Sequence, residues 1–504
     1  MSEQSTKKGT MVKDTIIYML AKGIEGIVGV VTMSVMTYLF ATGQMGNYSI
    51  VNIAITTVGM VCIQWLVQSV LRYINKYDLM GGEKLKSFYT TVFSAWLRVN
   101  VLVAVIALVL IGIIRVFFSQ LQPVAAFLQV YSLELLVLGV MWFVTYNTAQ
   151  LVIAMLAAIR RAKLNLLLSL ITVCGKLGFM VLFCKLYGSK IEWIFLSYFI
   201  TDGIVSIIGL SQLKIHKYIN MKNSSSEILA ELKSYGMPLM GNMLTTSVLN
   251  KSDIYIVTIF ITASAAGIYQ TNYSIVATAF TLLSASVMRG SYPTILRTWS
   301  EGKKELTQRL VGEAVRFYML LAIPAVAGLG AVSDVMADAL FEQEYVQGHS
   351  VMFWVGLGMM FLGLTEYAIK PWELNGKTKS IFLRSLIGSG VNVGLNLIFV
   401  NVFKSYYVAA VTTFIAFFVY FCLAKLGTRK IMSWHLKPLT YIRIIGSAIV
   451  MYIAIYTVKS YMEISGIRGL IILVIFGMLI YGVSLAVSGE VKEEIKVIYN
   501  KVKR

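Results

Sequence analysis

The stretch from Tyr235 to Thr294 holds the side chains that ask most of their surroundings. Lys251 and Asp253 lie near the middle of an apolar run, 236–262. A charge at the centre of a bilayer span costs roughly 2.5–3.5 kcal/mol on insertion scales, so each must face a protein interior or an aqueous cavity. Two residues apart on a helix, they point to roughly opposite faces and do not simply neutralise each other. The pattern recurs along the chain. Lys22 and Glu25 are three apart, share a helix face and can pair. Lys176, in CGKLGF, has no acid within one turn, and Asp202 in the next apolar run is its nearest candidate partner. Arg98 and Arg289 lie in the inner third of their runs. Lys22, Arg98, Lys176, Lys251 and Arg289 are candidates to hold an anion, arginine with a bidentate fork that lysine lacks. Glu25, Asp202 and Asp253 are candidates to balance those cations or to carry a coupling proton or sodium ion. Asn242, Asn250, Asn272, Asn392 and Asn396 are polar groups for a ligand, or equally helix–helix contacts in the membrane.

Other chemistries find no residues to support them. Gly376-Lys377-Thr378 has Pro371 where a P-loop needs its first glycine. Cys62, Cys174, Cys184 and Cys422 fall in apolar runs without a CxxC, and His216, His349 and His435 form no ligand cluster. No metal site or other cofactor is expected.

These residues are carried by apolar spans from end to end. The chain has 504 residues, 58% hydrophobic and only 13% charged. A soluble protein carries about 25% charged residues. We read an all-α polytopic membrane protein with about fourteen spans: 14–41, 46–72, 89–116, 131–159, 164–187, 193–213, 236–262, 267–292, 312–333, 349–372, 381–400, 407–427, 440–460 and 467–488. No cleaved signal peptide is read at the N-terminus. The net charge of +20 would suggest nucleic acid in a soluble protein. Here 27 lysines and arginines sit in alternate connections and the opposite connections hold only Lys190 and Lys404. The asymmetry is topological and expects both termini in the cytoplasm, with no nucleic-acid partner. Arg72, Arg316, Arg384, Lys425, Arg443 and Lys459 lie near span ends and are expected to snorkel. Glu366 and Lys370, four apart, are expected to pair. Pro238 is expected in the first turn of its span and Pro324 inside one.

An internal repeat divides the chain. FATGQMGNYSIVNIAITTVGMV and FITASAAGIYQTNYSIVATAFTLL align Gly46-x-Tyr48 with Gly267-x-Tyr269, each opening a span after a turn of small or polar residues. The expected organisation is an N-terminal lobe (1–213), a linker (214–235), a C-terminal lobe (236–427), two added spans (428–488) and a tail (489–504) that forms an interfacial helix.

The residues also resemble a known family. A span bearing Asp253, then Gly267-x-Tyr269, then Tyr292-Pro293 before a basic loop with Glu301-Gly302-Lys303, is similar to Wzx-type polysaccharide flippases. These belong to the multidrug/oligosaccharidyl-lipid/polysaccharide (MOP) exporter superfamily. IPAVAGLGAVSDVMADALFEQEYVQG (323–348) and LNGKTKSIFLRSLIGSGVNVGLNLIF (374–399) carry the resemblance onward. It implies a V-shaped pair of six-helix lobes, as in MATE transporters, alternating access, and an undecaprenyl-diphosphate-linked oligosaccharide as cargo. The five cations would then face the diphosphate and the five asparagines the sugars. The partners implied are membrane lipid, the polyprenyl-diphosphate glycan, and polysaccharide polymerase or assembly proteins, with the flippase itself a monomer. Fourteen spans also suit lipid II flippases of the same superfamily, and multidrug antiporters share the fold. A membrane glycan polymerase or ligase would need a large outer loop with Arg, His or acids. The longest outer connection here, 334–348, is short and has no arginine.

Overall fold

The computed structural model describes residues 23–118, 120–121, 128–159, 161–218, 223–462 and 464–492. Among the described residues the chain is helical, with no strand. The long helices are α1 (Gly23–Leu39), α2 (Thr42–Cys62), α3 (Gln64–Met80), α4 (Gly82–Phe117), α5 (Leu133–Ala158), α6 (Ala162–Tyr187), α7 (Ile191–Gln212), α8 (Ser226–Phe260), α9 (Ala263–Ser300), α10 (Lys304–Leu340), α11 (His349–Ala368), α12 (Thr378–Phe403), α13 (Tyr406–Thr428), α14 (Pro438–Tyr461) and α15 (Gly466–Ser488). Eleven helices among the described residues are long and apolar enough to cross a membrane, so this is a multi-pass membrane protein. That is fewer than the fourteen spans read from the sequence. Of the expected spans, those carried by α1, α8 and α9 fall outside the eleven; so does the 17-residue α3, which continues the span opened by α2. α1 has a short described part, and Lys251, Asp253 and Arg289 interrupt the apolar runs of α8 and α9.

Several boundaries move. The expected linker helix and the following span are one helix, α8, and Pro238 lies inside it rather than in its first turn. The segment before Pro238 is already held. Ser69 on α3 donates to the Leu232 carbonyl at 2.6 Å, and a Cβ on Gly236 would lie 2.2 Å from the Trp65 carbonyl oxygen. The turn expected at 263–266 shrinks to Ile261 and Thr262. Thr262 caps α9 by accepting from the Ala265 amide at 3.1 Å. α9 then runs on through Pro293, and α10 runs through Pro324 and into the expected outer loop as far as Leu340. The tail beyond 492 lies outside the described residues.

The chain folds as two compact units. Among the described residues the first comprises 23–32 and 47–247, the second 33–46 and 248–492. In the first, Leu66, Val70 and Ile74 of α3 pack with Phe88 and Val92 of α4, Leu151, Val152 and Met155 of α5, and Leu232 of α8. The half of α4 beyond Leu97 exposes Leu102, Val105, Ile106 and Val109, an apolar surface suited to lipid. In the second unit Tyr318 of α10, Tyr367 of α11 and Phe417 of α13 are fully buried. α14 and α15 pack on α10 through Met451, Ile455 and Leu473 against Ala331, Val332 and Val335. Lipid tails are as apolar as these side chains, so close packing rather than exclusion of water holds the helices together.

Candidate functional site

The second unit encloses a carboxylate without a counter-charge. Asp253 of α8 is only 1% exposed. Its Oδ2 accepts hydrogen bonds from the Tyr269 hydroxyl of α9 and from Thr413 Oγ1 of α13, the latter at 3.1 Å. Its Oδ1 is buried with no hydrogen-bond partner. The network continues through neutral groups. Asn392 of α12 donates to Thr413 Oγ1 at 3.2 Å, and its own Oδ1 accepts from Ser252 at 3.0 Å and from Asn396 at 3.1 Å. Asn396 Oδ1 accepts from Thr412 at 2.9 Å. No lysine or arginine among the described residues pairs with Asp253. A buried carboxylate needs a positive partner or a proton. A set of carboxylate, hydroxyl and amide oxygens offers both chemistries, a proton on Asp253 or a hard monovalent cation beside it.

The first unit holds a carboxylate that has found its cation. Asp202 of α7 lies 2.9 Å from Lys176 Nζ of α6, and the same oxygen accepts from Trp142 Nε1 of α5 at 2.8 Å. Lys176 Nζ also sits over the Tyr198 ring, 4.9 Å from its centroid. The Tyr198 hydroxyl is 2.9 Å from that of Tyr48 on α2. The two tyrosines of the repeated Gly-x-Tyr thus reach the two acidic networks, Tyr269 by a direct bond to Asp253 and Tyr48 through Tyr198.

The remaining candidates divide between the units. Lys251 is half-buried on α8 and makes no hydrogen bond or ion pair among the described residues; because Asp253 faces the other way, the two do not meet. Arg289 of α9, in the same unit, is exposed, as is Arg98 of α4 in the first unit, and neither has an ion-pair partner among the described residues. Lys22 lies outside the described residues, and Glu25 is half-buried on α1. Asn242 and Asn250 are half-buried on α8. Asn272, Asn392 and Asn396 are fully buried. Asn272 donates to the Ile268 and Tyr345 carbonyls at 2.9 and 3.0 Å, an internal tie rather than a sugar-facing placement. Asn392 and Asn396 likewise belong to the Asp253 network and not to an open surface.

The surface that α9 leaves accessible was not read from the sequence. Ser274, Thr278, Thr281, Ala285 and Arg289 recur at three- and four-residue steps, and all are half-buried or exposed. They form a hydroxyl-lined stripe ending in a guanidinium. The signal was present as threonines and serines at helical spacing inside an apolar run. Local pairs also differ from expectation. Lys370 pairs with Glu373 at 2.5 Å instead of Glu366, because α11 ends at Ala368 and a short new helix begins at Lys370. Arg316 and Arg443 do not simply snorkel; both meet Glu490, at 2.7 and 3.5 Å. Lys459 pairs with Asp334 at 2.6 Å, and Lys425 donates to the Trp434 carbonyl at 2.6 Å.

Residues 11–299, more than half of the chain, match the polysaccharide biosynthesis protein family. The chain belongs to that family. The chain is 23% identical over 343 residues to the probable low-salt glycan biosynthesis flippase Agl15 of Haloferax volcanii, covering 66% of this chain and 70% of that one. Its fold is similar to the inward closed conformation of the lipid II flippase MurJ, with a TM-score of 0.70 at 14% identity over 97% of this chain and 100% of that one. It is also similar to an inward-facing multidrug resistance MATE transporter of the MOP superfamily, with a TM-score of 0.62 at 13% identity over 82% and 93%. The fold is therefore the one shared by these two structures.

Proposed function

We propose that this polysaccharide biosynthesis protein is a flippase that moves an undecaprenyl-diphosphate-linked oligosaccharide across the cytoplasmic membrane by alternating access, with both termini in the cytoplasm. Lys251 is the observation that carries this reading. A half-buried ammonium near the middle of the apolar run 236–262, with no ion pair among the described residues, is a costly feature without an anionic ligand. A diphosphate supplies that anion. Arg289 offers a second cation with bidentate geometry. The hydroxyls of Ser274, Thr278 and Thr281 offer hydrogen bonds to sugars, which need polar partners in a wet cavity. The prenyl chain stays in lipid. Asp253 holds the coupling proton or sodium ion, so cargo anion and coupling cation bind on opposite faces of one helix.

The test uses proteoliposomes and a fluorescent lipid-diphosphate oligosaccharide. Transport is expected to fall at least tenfold in Lys251→Ala and in Arg289→Ala, to recover partly in Lys251→Arg, and to collapse with the ion gradient in wild type but not in Asp253→Asn. Transport of a small cationic dye in place of the glycolipid refutes the cargo. Glycolipid transport indifferent to both cation mutations refutes the site.

A further inference from the structure

Gly46 and Gly267 make a reciprocal contact within the second unit. Each is the fifth residue of its helix, α2 or α9, and each rests on the first residue of the other. A Cβ on Gly46 would lie 1.8 Å from the Ala263 carbonyl oxygen, and one on Gly267 would lie 2.0 Å from the Thr42 carbonyl oxygen. Those atoms are backbone, so no rotamer relieves either clash, and glycine is required at both places. Ala266 is completely buried beside the contact. The Tyr345 hydroxyl, donating to the Phe40 carbonyl at 2.7 Å, holds the α1–α2 turn from the other side.

Two residues beyond each glycine, a tyrosine leaves the same helix for a carboxylate network. Tyr269 bonds Asp253 directly, and Tyr48 meets Tyr198 beside the Lys176–Asp202 pair. Position 269 is about half a turn from position 267, so a shift of one is felt at the other. The repeat thus joins a steric contact and an electrostatic one in three residues.

We propose that Gly267-x-Tyr269 is an ion-sensitive latch, in which Tyr269 transmits the charge state of Asp253 to the contact between α9 and the α1–α2 turn. The inference rests on the reading of Asp253 as the coupling-ion site. Anionic Asp253 accepts a charge-assisted bond that holds the first turn of α9 against Thr42. A proton or monovalent cation on Asp253 weakens that bond, and the contact loosens. The titratable groups facing Asp253 are Tyr269 and Tyr273, both on α9, while α12 and α13 present Asn392 and Thr413, which do not titrate.

The test reads the latch without cargo. Cys62, Cys174, Cys184 and Cys422 are replaced by alanine, Ala266→Cys is introduced, and the full-length protein in liposomes is treated with a charged maleimide in sodium or in choline, at two pH values. Each rate is referred to that of the same cysteine in denaturant at the same pH, because the thiolate is the reacting form; on that scale sodium, acid or Asp253→Asn is expected to speed labelling about fivefold or more, the margin of a charge-assisted bond over a neutral one. Tyr269→Phe is expected to label fast and to lose the ion response. Gly267→Ala, which cannot close, is expected to label fast under every condition. Labelling unaffected by ion, pH and Asp253→Asn overturns the latch, as does slow labelling of Gly267→Ala. A labelling response that persists where glycolipid transport fails refutes the proposed cargo alone, and transport coupled to an ion with no labelling response refutes the latch alone.

Discussion

Removing either partner of the Lys176–Asp202 pair should destabilise the first unit, but unequally. Asp202 has 2% of its side chain exposed and Lys176 has 18%. Breaking a fully buried pair costs about 3–5 kcal/mol, most of it the stranded charge. Lys176→Met strands the deeper group, a carboxylate left with Trp142 Nε1 as its side-chain donor, and should cost nearly the full amount. Asp202→Asn keeps an acceptor for Trp142 and strands an ammonium that retains some solvent and the Tyr198 ring, so about half that cost is expected. The double variant should cost less than the sum of the two by about 2 kcal/mol or more, because neither charge remains. A unit of this size shifts by about 2–4 °C per kcal/mol. Lys176→Met should therefore lower the apparent melting temperature by about 10 °C and Asp202→Asn by about 5 °C, compared in the same detergent at one scan rate. Additive single variants, or Asp202→Asn as the more damaging change, would refute the assignment of a coupled pair with its carboxylate at the bottom.

Three further outcomes follow from packing and charge. Gly236→Ala places a Cβ 2.2 Å from the Trp65 carbonyl and should sharply reduce folded yield, whereas Gly394→Ala, with nothing within 4 Å, should stabilise by the helix propensity of alanine over glycine, about 1 kcal/mol, and raise the melting temperature by about 2–4 °C. Burial alone would raise the Glu231 carboxyl, but hydrogen bonds from Lys76 and Tyr77 outweigh it and hold the group below its ordinary range. Its stabilisation is present above the unfolded value, about 4.3, and is lost as pH falls through the folded one; wild type and Glu231→Gln should therefore differ in melting temperature at pH 7 and converge near pH 3. Arg316→Ala removes two bonds to Glu490, at 2.7 and 2.6 Å, and should make the C-terminal end of α15 a site of limited proteolysis; unchanged digestion would show that the ion pair is dispensable there.

Much of the architecture was legible because a bilayer enforces it. Apolar runs of membrane length read as helices, and Lys176 in CGKLGF pointed to Asp202 because an unpaired ammonium at that depth demands a partner. The helix ends were less legible. Pro238, Pro293 and Pro324 all lie inside helices that packing sustains past the breaker. The asparagines left two readings open for a related reason. An amide in an apolar run signals a hydrogen-bonded site without saying whether its partner is cargo or another helix, and Asn392 and Asn396 found Thr412 and Thr413. Glu490 could not be anticipated as the acceptor for Arg316 and Arg443, since that pairing depends on how α15 returns along α10. The Gly-x-Tyr repeat was visible, but its two functions, a backbone contact and a bond to a carboxylate, appear only when both copies are seen folded.

α14 and α15 are fastened to α10 at two levels, by Lys459 to Asp334 and by Glu490 to Arg316, with an apolar seam between. The two helices therefore cannot be pruned cleanly. A chain stopped before Pro438 would strand one charge of each sign on α10 and leave Ala331, Val332 and Val335 to lipid. A shortened chain therefore needs neutral side chains at both positions, Asp334→Asn with Arg316→Gln, to avoid leaving those charges unpaired.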